Sequence, residues 1–453
     1  MRPLLWPGPR PAPVLKSAAL ALVIVLGLAA RGRADDLEEF GYGARAQGMG
    51  GAFTALASDH TATYYNPGGL VYSRHLNLSF GFSYADYQLD FDSQRGGALD
   101  DRAERIPPLS ALSLGVSSTI PIDVPDRLGF GLALFLPTRG LINLKARAST
   151  TDPEWFRYGS RHDRVHILAA LGVKVTDWLS VGAGASIFVD ASGGTTLSAG
   201  LNAPVNPEFK LKLEPDAGVV LGLQLSPTHW LSFGVTYRSE VSFKLDFPAA
   251  AVVQGINIPL TLETITFFTP HQVQAGVTIS PTEKLLVSLD LGWFNWSAYH
   301  DPFLVTTSSV AQVIPRQRID FDDVISPKLG VEYVATDWLT LRGGYWYRTS
   351  AVRDQNNEPT NLAGSAKHVF TLGVGFTFGT PPEERSDKAK EKRKERAQTI
   401  FEALEDFSFD LDLFFQYHLH EDVSASRPAT DPIGSWDAGG GIVNFGFMFT
   451  GRF

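Results

Sequence analysis

FSFDLDLFFQYHL occupies residues 407–419, and its side chains alternate in character. Phe407, Phe409, Leu411, Leu413, Phe415, Tyr417 and Leu419 fall on one side of an extended chain. Ser408, Asp410, Asp412, Phe414, Gln416 and His418 fall on the other. Successive side chains of a strand point to opposite faces, so this stretch predicts a strand with one face in an apolar phase and one in water. The last segment repeats the pattern. Phe445, Phe447, Phe449 and Phe453 share a face, with Asn444, Met448, Thr450 and Arg452 opposite.

Working outward, similar alternating runs are joined by short turns: Thr176-Asp177-Trp178-Leu179, Ser226-Pro227-Thr228-His229-Trp230-Leu231, Ser280-Pro281-Thr282-Glu283-Lys284 and Thr336-Asp337-Trp338-Leu339. Asp, Pro and Thr suit tight turns, and Trp beside them suits a membrane–water boundary. The other connections are long: about 92–108, 137–163, 193–207, 248–262, 301–315, 351–362 and 421–438. Short turns at one end and long loops at the other are the asymmetry of an outer-membrane barrel. Candidate strands run at 75–91, 109–120, 127–136, 163–176, 178–192, 208–226, 230–247, 264–280, 284–299, 317–335, 338–350, 364–379, 407–420 and 440–453. Each is long enough for the ~9–11 residues that cross a bilayer at a tilt, whereas strands of soluble sheets run nearer ~5–6. The expected fold is all-β, a transmembrane antiparallel β-barrel of about 14 strands.

Composition narrows the function. The chain has no Cys, which excludes disulfides and thiolate metal sites. Residues 1–34 hold five basic residues and no acidic one, with an apolar run at 17–30 and Gly32-Arg33-Ala34 behind it. This pattern predicts a cleaved secretory signal. Without it the chain carries 34 Lys+Arg against 48 Asp+Glu, a net charge of −14. So acidic a chain predicts no nucleic-acid partner. Residues 381–406 break the strand pattern with charged, helix-forming sequence, and predict a solvated helical insertion on the periplasmic side; a docking arm for an envelope partner is the alternative.

One stretch before the first strand needs its own account: GARAQGMGGAFTALASDHTATYYNPGGL, residues 43–70. Its glycines neither follow a strand nor precede a Gly-Lys-Ser/Thr, so a nucleotide cradle is unsupported. It is too small and too apolar to stand alone. It resembles the N-terminal signature of the FadL-type outer-membrane long-chain fatty acid and hydrophobic compound transporters. That family typically shows Ala-Arg-Ala-x-Gly-Met-Gly-Gly-Ala-Phe, then Asp, then Tyr-Asn-Pro-Ala-Gly. This chain has Ala44-Arg45-Ala46-Gln47-Gly48-Met49-Gly50-Gly51-Ala52-Phe53, then Asp59, then Tyr65-Asn66-Pro67-Gly68-Gly69, departing only in Gly68.

The resemblance implies an N-terminal hatch inside the lumen at residues 35–72, before a barrel at 73–453. Gly48, Gly50, Gly51, Phe53, Asn66 and Pro67 are then hatch or gating residues. It also implies a kinked strand three with a lateral opening, placed here at Gly131, Pro137 and Gly140. The function implied is passive uptake of a long-chain fatty acid or other hydrophobic small molecule, by extracellular capture, hatch rearrangement and sideways exit.

Capture needs apolar material outside, which Leu141, Ile142, Trp155 and Phe156 supply in one long loop, with Arg139 and Arg157 as cations for a carboxylate. The loop at 248–262 adds Val252, Val253, Ile256, Ile258 and Leu260. Expected partners are outer-membrane lipid and lipopolysaccharide, and the barrel assembly machinery through C-terminal Phe453. The expected state is a monomer in the outer membrane of a Gram-negative cell, with no cofactor, no metal and no enzymatic activity. The alternatives are a general porin, which a hatch would obstruct, and a barrel hydrolase. For the latter, His162-Asp163, Asp410, Asp412, His418 and His420 are acid–base candidates, with no Gly-x-Ser-x-Gly or His-Glu-x-x-His beside them.

Overall fold

The computed structural model describes residues 36–453 apart from 74, 96–97, 100–105, 121–126, 140–150, 159–163, 197–207, 254–255, 301–304, 309–311, 315–318, 354–359 and 380–407. The leader, the 381–406 insertion, Gly140, Leu141, Ile142 and the His162-Asp163 pair therefore lie outside the described residues. Fourteen antiparallel strands close a ring. In chain order they are β1 (Asn77–Arg95), β2 (Leu109–Ile120), β3 (Leu128–Pro137), β4 (His166–Lys174), β5 (Leu179–Thr196), β6 (Glu208–Thr228), β7 (Leu231–Arg238), β8 (Gln272–Thr282), β9 (Leu285–Phe294), β10 (Val324–Thr336), β11 (Leu339–Arg348), β12 (Lys367–Phe378), β13 (Ser408–Ala425) and β14 (Ser435–Arg452). Each pairs with its sequence neighbours, and β1 closes the ring on β14 from Asn77↔Arg452 to Gln94↔Ser435. Closure pairs each strand with a neighbour on both sides, so the backbone polar groups that cross the membrane are satisfied largely within the sheet.

The alternation at 407–419 becomes the two faces of the wall. Leu413, Phe415 and Leu419 face outward and are exposed, while Phe414, Gln416, His418 and His420 face the lumen and are buried. The outward face elsewhere carries Leu114, Leu132, Leu291, Phe370, Leu372 and Phe445, an apolar band for lipid. Trp178, Trp230 and Trp338 stand exposed at the short turns, at the level where indole prefers a bilayer interface.

Two expected strands are interrupted. The runs at 230–247 and 264–280 leave the barrel wall at 239–240 and 270–271. Val241–Val253 instead pairs with Ile256–Thr269, in a separate four-stranded sheet with Val305–Ser308 and Gln312–Ile314. Side-chain and proline chemistry ends the ladder. The Val219 N–H donates to Ser239 Oγ (2.9 Å) and the Glu240 N–H to His271 Nδ1 (3.1 Å), while Pro270 has no N–H to give. The connection expected at 248–262 is thus part of an extended hairpin.

Strand three is paired differently on its two sides. β3 holds unshifted pairing with β2 from Ile120↔Leu128 to Ala111↔Pro137, and Gly131 is paired on both sides, with Ser117 and Ala170. Its pairing with β4 stops earlier, at Phe135↔His166. N–H groups alternate sides along a strand, and Thr138 donates toward β2 (2.8 Å to Ser110 O). The N–H that Pro137 lacks is therefore the one that would have pointed at β4.

Candidate functional site

Residues 36–73 fold as short pieces: helices Asp36–Phe40, Ala44–Gly48 and Ala62–Tyr65, then the 3₁₀ turn Pro67–Tyr72. Helices of four or five residues do not hold themselves together in water. These pieces are almost wholly buried, with Phe53, Ala46, Met49, Asn66 and Leu70 at 0% exposure. Their surroundings are lumen-facing side chains from all around the ring.

The wall pairs the irregular backbone, as burial requires. Asp290 Oδ2 on β9 accepts from the N–H groups of Phe53 (3.0 Å) and Thr54 (2.9 Å). Thr371 Oγ1 donates to Gly48 O (2.9 Å), and Gln416 Nε2 donates to Gln47 O (3.0 Å). Asn66 Nδ2 donates both to Thr54 O (2.8 Å) and to Leu223 O on β6 (2.9 Å), while its Oδ1 accepts from Gly68 N–H (3.0 Å). Gly50 and Gly51 take φ of +64° and +66°, the left-handed region open to glycine, where the chain reverses against β10 and β11. Pro67 presses on β5: a Cβ at Gly182 would lie 2.3 Å from the Pro67 carbonyl carbon. Gly129, Gly172 and Gly222 face the same turn, so β3–β6 form a smooth bed for Pro67–Leu70. Gly48 meets Gly373 on β12 in the same way, and Gly131 faces Thr63 and Leu70.

Two ionic clusters fix the ends of the segment. At the long-loop end, Glu38 binds Arg157 (3.0 Å) and Arg348, and accepts from Gln272 Nε2 (3.2 Å). Glu39 binds Lys367 and Arg157 (3.3 Å), and accepts from the Tyr158 hydroxyl (2.8 Å). Burial pushes the Glu38 pKa up, but Arg157 and Arg348 outweigh it and hold the carboxyl at about 2. At the short-turn end, Arg45 forms two bonds to Glu332 (2.8 and 2.7 Å). Arg342 bridges Glu332 (2.7 Å) and Asp412 (2.6 Å), and Arg452 pairs with Asp410. These groups line a polar cavity of about 350 Å³ beneath the segment, with Asp59, His75, Asn77 and Thr450.

The lumen is asymmetric. Toward the long-loop end, β1–β4 face inward with Ala85, Leu109, Ala111, Ala133, Phe135, Leu168 and Ala170, which pack with Leu37, Phe40, Trp155 and Tyr158 into one apolar cluster. Across the lumen, β7, β8 and β10–β12 contribute Arg238, Gln272, Lys328, Arg348 and Lys367. The apolar side adjoins the end of the β3–β4 ladder.

Of the sequence-selected capture residues, Trp155 and Phe156 are buried, each in a separate aromatic cluster, and Arg157 lies over the Trp296 ring at 4.8 Å. Arg139 is apart from them and donates to Pro108 O (3.0 Å). Asp410 and Asp412 pair with Arg452 and Arg342, and His420 bonds Tyr158 (2.9 Å) and Ser365 (2.8 Å). Among the described residues no cluster of three or more His, Asp or Glu is placed to hold a metal. The sequence reading missed Glu38, Glu39, Arg348, Lys367 and Glu332. Two adjacent glutamates inside the apolar Leu37–Phe40 stretch were the available signal, since a buried charge demands a partner.

Residues 29–402 match the family described as outer membrane protein transport protein (OMPP1/FadL/TodX). The chain belongs to this family. Its members are transporters of hydrophobic compounds in the Gram-negative outer membrane, not enzymes. The chain is 25% identical over 343 residues to alkane uptake protein A of Marinobacter nauticus, covering 70% of this chain and 74% of that one. The fold is similar to a Pseudomonas aeruginosa FadL homologue (TM-score 0.55, 15% identity, 90% of this chain and 97% of that one). It is also similar to the Pseudomonas putida toluene transporter TodX (TM-score 0.54, 15% identity, 91% and 99%). Membership sets the orientation: the short-turn end is periplasmic and the long-loop end extracellular.

Proposed function

We infer that the chain is a passive transporter whose residues 36–73 act as the hatch, and that its cargo leaves sideways beside β3 instead of falling into the periplasm. The observation that carries this is the lumen's asymmetry. A hydrophobic solute gains by staying on apolar surface. Apolar lining leads from the outer mouth to the end of the β3–β4 ladder at Phe135, whereas the way down ends in a cavity of paired Arg, Asp and Glu. Pro137 withholds the backbone donor that would extend the β3–β4 seam, so the wall beyond Phe135 is the exit. Recognition by the assembly machinery through Phe453, contact with lipopolysaccharide and a monomeric state belong to the same reading.

The cargo read first is a neutral hydrocarbon. Glu38 and Glu39 already occupy the cations at the outer mouth, and the alkane uptake relative points the same way. A long-chain fatty acid is the second reading, favoured by three cations (Arg157, Arg348, Lys367) against two carboxylates. Uptake of labelled hexadecane and labelled oleate, by cells lacking their own transporters and expressing this chain, tests both. Hexadecane entry above the vector control supports the first reading, oleate alone supports the second, and neither from a folded barrel refutes the transport reading.

A further inference from the structure

Phe156 sits in a box of aromatic rings that closing a barrel does not require. Its ring stacks on Phe321 (4.5 Å, 22°) and meets Trp296 edge-on (5.4 Å, 76°), with Tyr299 at 5.7 Å. Phe268 closes the far side, 4.7 Å from Tyr299 and 5.4 Å from Trp296. The box is dry: Phe321, Trp296 and Phe156 are 1%, 2% and 4% exposed. Its walls come from the connections before β8 and between β9 and β10, but Phe156 arrives from a different loop, between β3 and β4. That loop is fastened there by a two-residue parallel pairing, Glu154–Trp155 on Leu362–Ala363. The next residue, Arg157, reaches Glu38 (3.0 Å) and Glu39 (3.3 Å). One residue thus seats a ring in the box while its neighbour ties down the hatch.

We propose that this box is a binding site for an uncharged aromatic ring, that Phe156 is its resident occupant, and that an incoming ring which replaces Phe156 draws Arg157 off Glu38 and Glu39. The proposal rests on the transport reading only for the source of the ring. Ring-for-ring exchange conserves the buried apolar area, and the offset and edge-on geometries available suit aromatic quadrupoles. A linear alkane fills the volume without those contacts. The tethered Phe156 competes at an effective concentration of roughly mM, so the box yields only where cargo has accumulated at the mouth.

The test uses the full mature chain in detergent, labelled with 5-fluorotryptophan. The Trp296 resonance is identified by its loss in Trp296→Phe, and toluene or decane is added at matched micellar mole fraction. Toluene should shift that resonance saturably and decane should not. Toluene should also speed tryptic cleavage after Arg157 several-fold. Phe156→Ala should respond to toluene at least about tenfold lower in concentration, because its competitor is gone. Phe156→Leu is the companion variant if the alanine form loses heat-modifiable migration. No toluene response at Trp296 in any variant that folds, or a response weakened by Phe156→Ala or Phe156→Leu, overturns the site. Binding with unchanged cleavage overturns the coupling. These readouts need no transport, so intact responses with no uptake would refute the transport reading and leave the site standing.

Discussion

The Arg157 guanidinium, carried by the loop between β3 and β4, lies 3.0 Å from the Glu38 carboxylate and 3.3 Å from that of Glu39. This contact joins an extracellular loop to the first helical turn of the lumenal segment, 119 residues away in sequence. Its strength depends on the Glu38 charge. Glu38 titrates at about 2 instead of 4.5, a lowered pKa, so the stability it contributes is complete above about 4.5 and is lost as pH falls from there toward 2. Opening events in planar bilayers should therefore be flat from about pH 8 to 5 and rise below about 4.5. Glu38→Gln should already open at pH 7. A rise centred on pH 6 to 7 would assign control to a histidine and contradict this account.

The periplasmic end is held by a different carboxylate. Glu332 accepts from both Arg45 and Arg342 and its side chain is only 10% exposed. Glu332→Ala leaves two guanidinium groups in the lumen without it, and breaking such a pair costs about 3–5 kcal/mol. Glu421, 49% exposed and 3.2 Å from His368, is the contrast: Glu421→Ala should cost no more than about 1 kcal/mol. Chemical denaturation of the two variants checks the difference. Equal midpoints would show that the Arg45 strut does not bear on stability.

Close approach makes its own prediction. A side chain at Gly182 would enter the Pro67 backbone, so Gly182→Val should dislodge the turn Pro67–Leu70 while the strand itself tolerates valine. The expected result is a folded, heat-modifiable barrel that conducts ions where the parent does not. Overpacking of this kind costs about 1–3 kcal/mol. At Gly343, by contrast, the sole near neighbour of a new Cβ is Thr371 O at 3.8 Å, and Gly343→Ala should change stability by less than about 0.5 kcal/mol.

How far the sequence could be read depends on the range of the interactions. Alternation at 407–419 is local, and it survives into the structure because each wall residue must choose lipid or lumen. The breaks at Ser239-Glu240 and Pro270-His271 were harder. They arise from a serine hydroxyl and a histidine ring capping backbone groups across the loop, which period-two counting does not register. The ionic clusters were invisible for another reason. Glu38 and Arg348 are 310 residues apart, and only closure of the ring brings them together. The bed of Gly129, Gly172, Gly182 and Gly222 is intermediate. Each glycine was in plain view, but their common level on four strands follows only from the register.

The lateral route stands or falls on Pro137. Pairing between β3 and β4 ends at Phe135↔His166, two residues before the proline, while β2 keeps hold of it through Ala111 and of Thr138 through Ser110 O. The proline therefore leaves one seam fastened and the other short of a donor. Pro137→Val restores that N–H with a residue that favours strands, and lets the β3–β4 ladder extend by a further pair. Hydrocarbon uptake should then fall several-fold at unchanged barrel yield and heat-modifiable migration. Because the substitution lies outside the box around Phe156 and the clusters around Glu38 and Glu332, the contacts of residues 36–73 and ring binding should be untouched. Uptake at the parental rate in Pro137→Val would mean that the cargo does not pass this seam, and the polar cavity below residues 36–73 would have to be reconsidered as the way out.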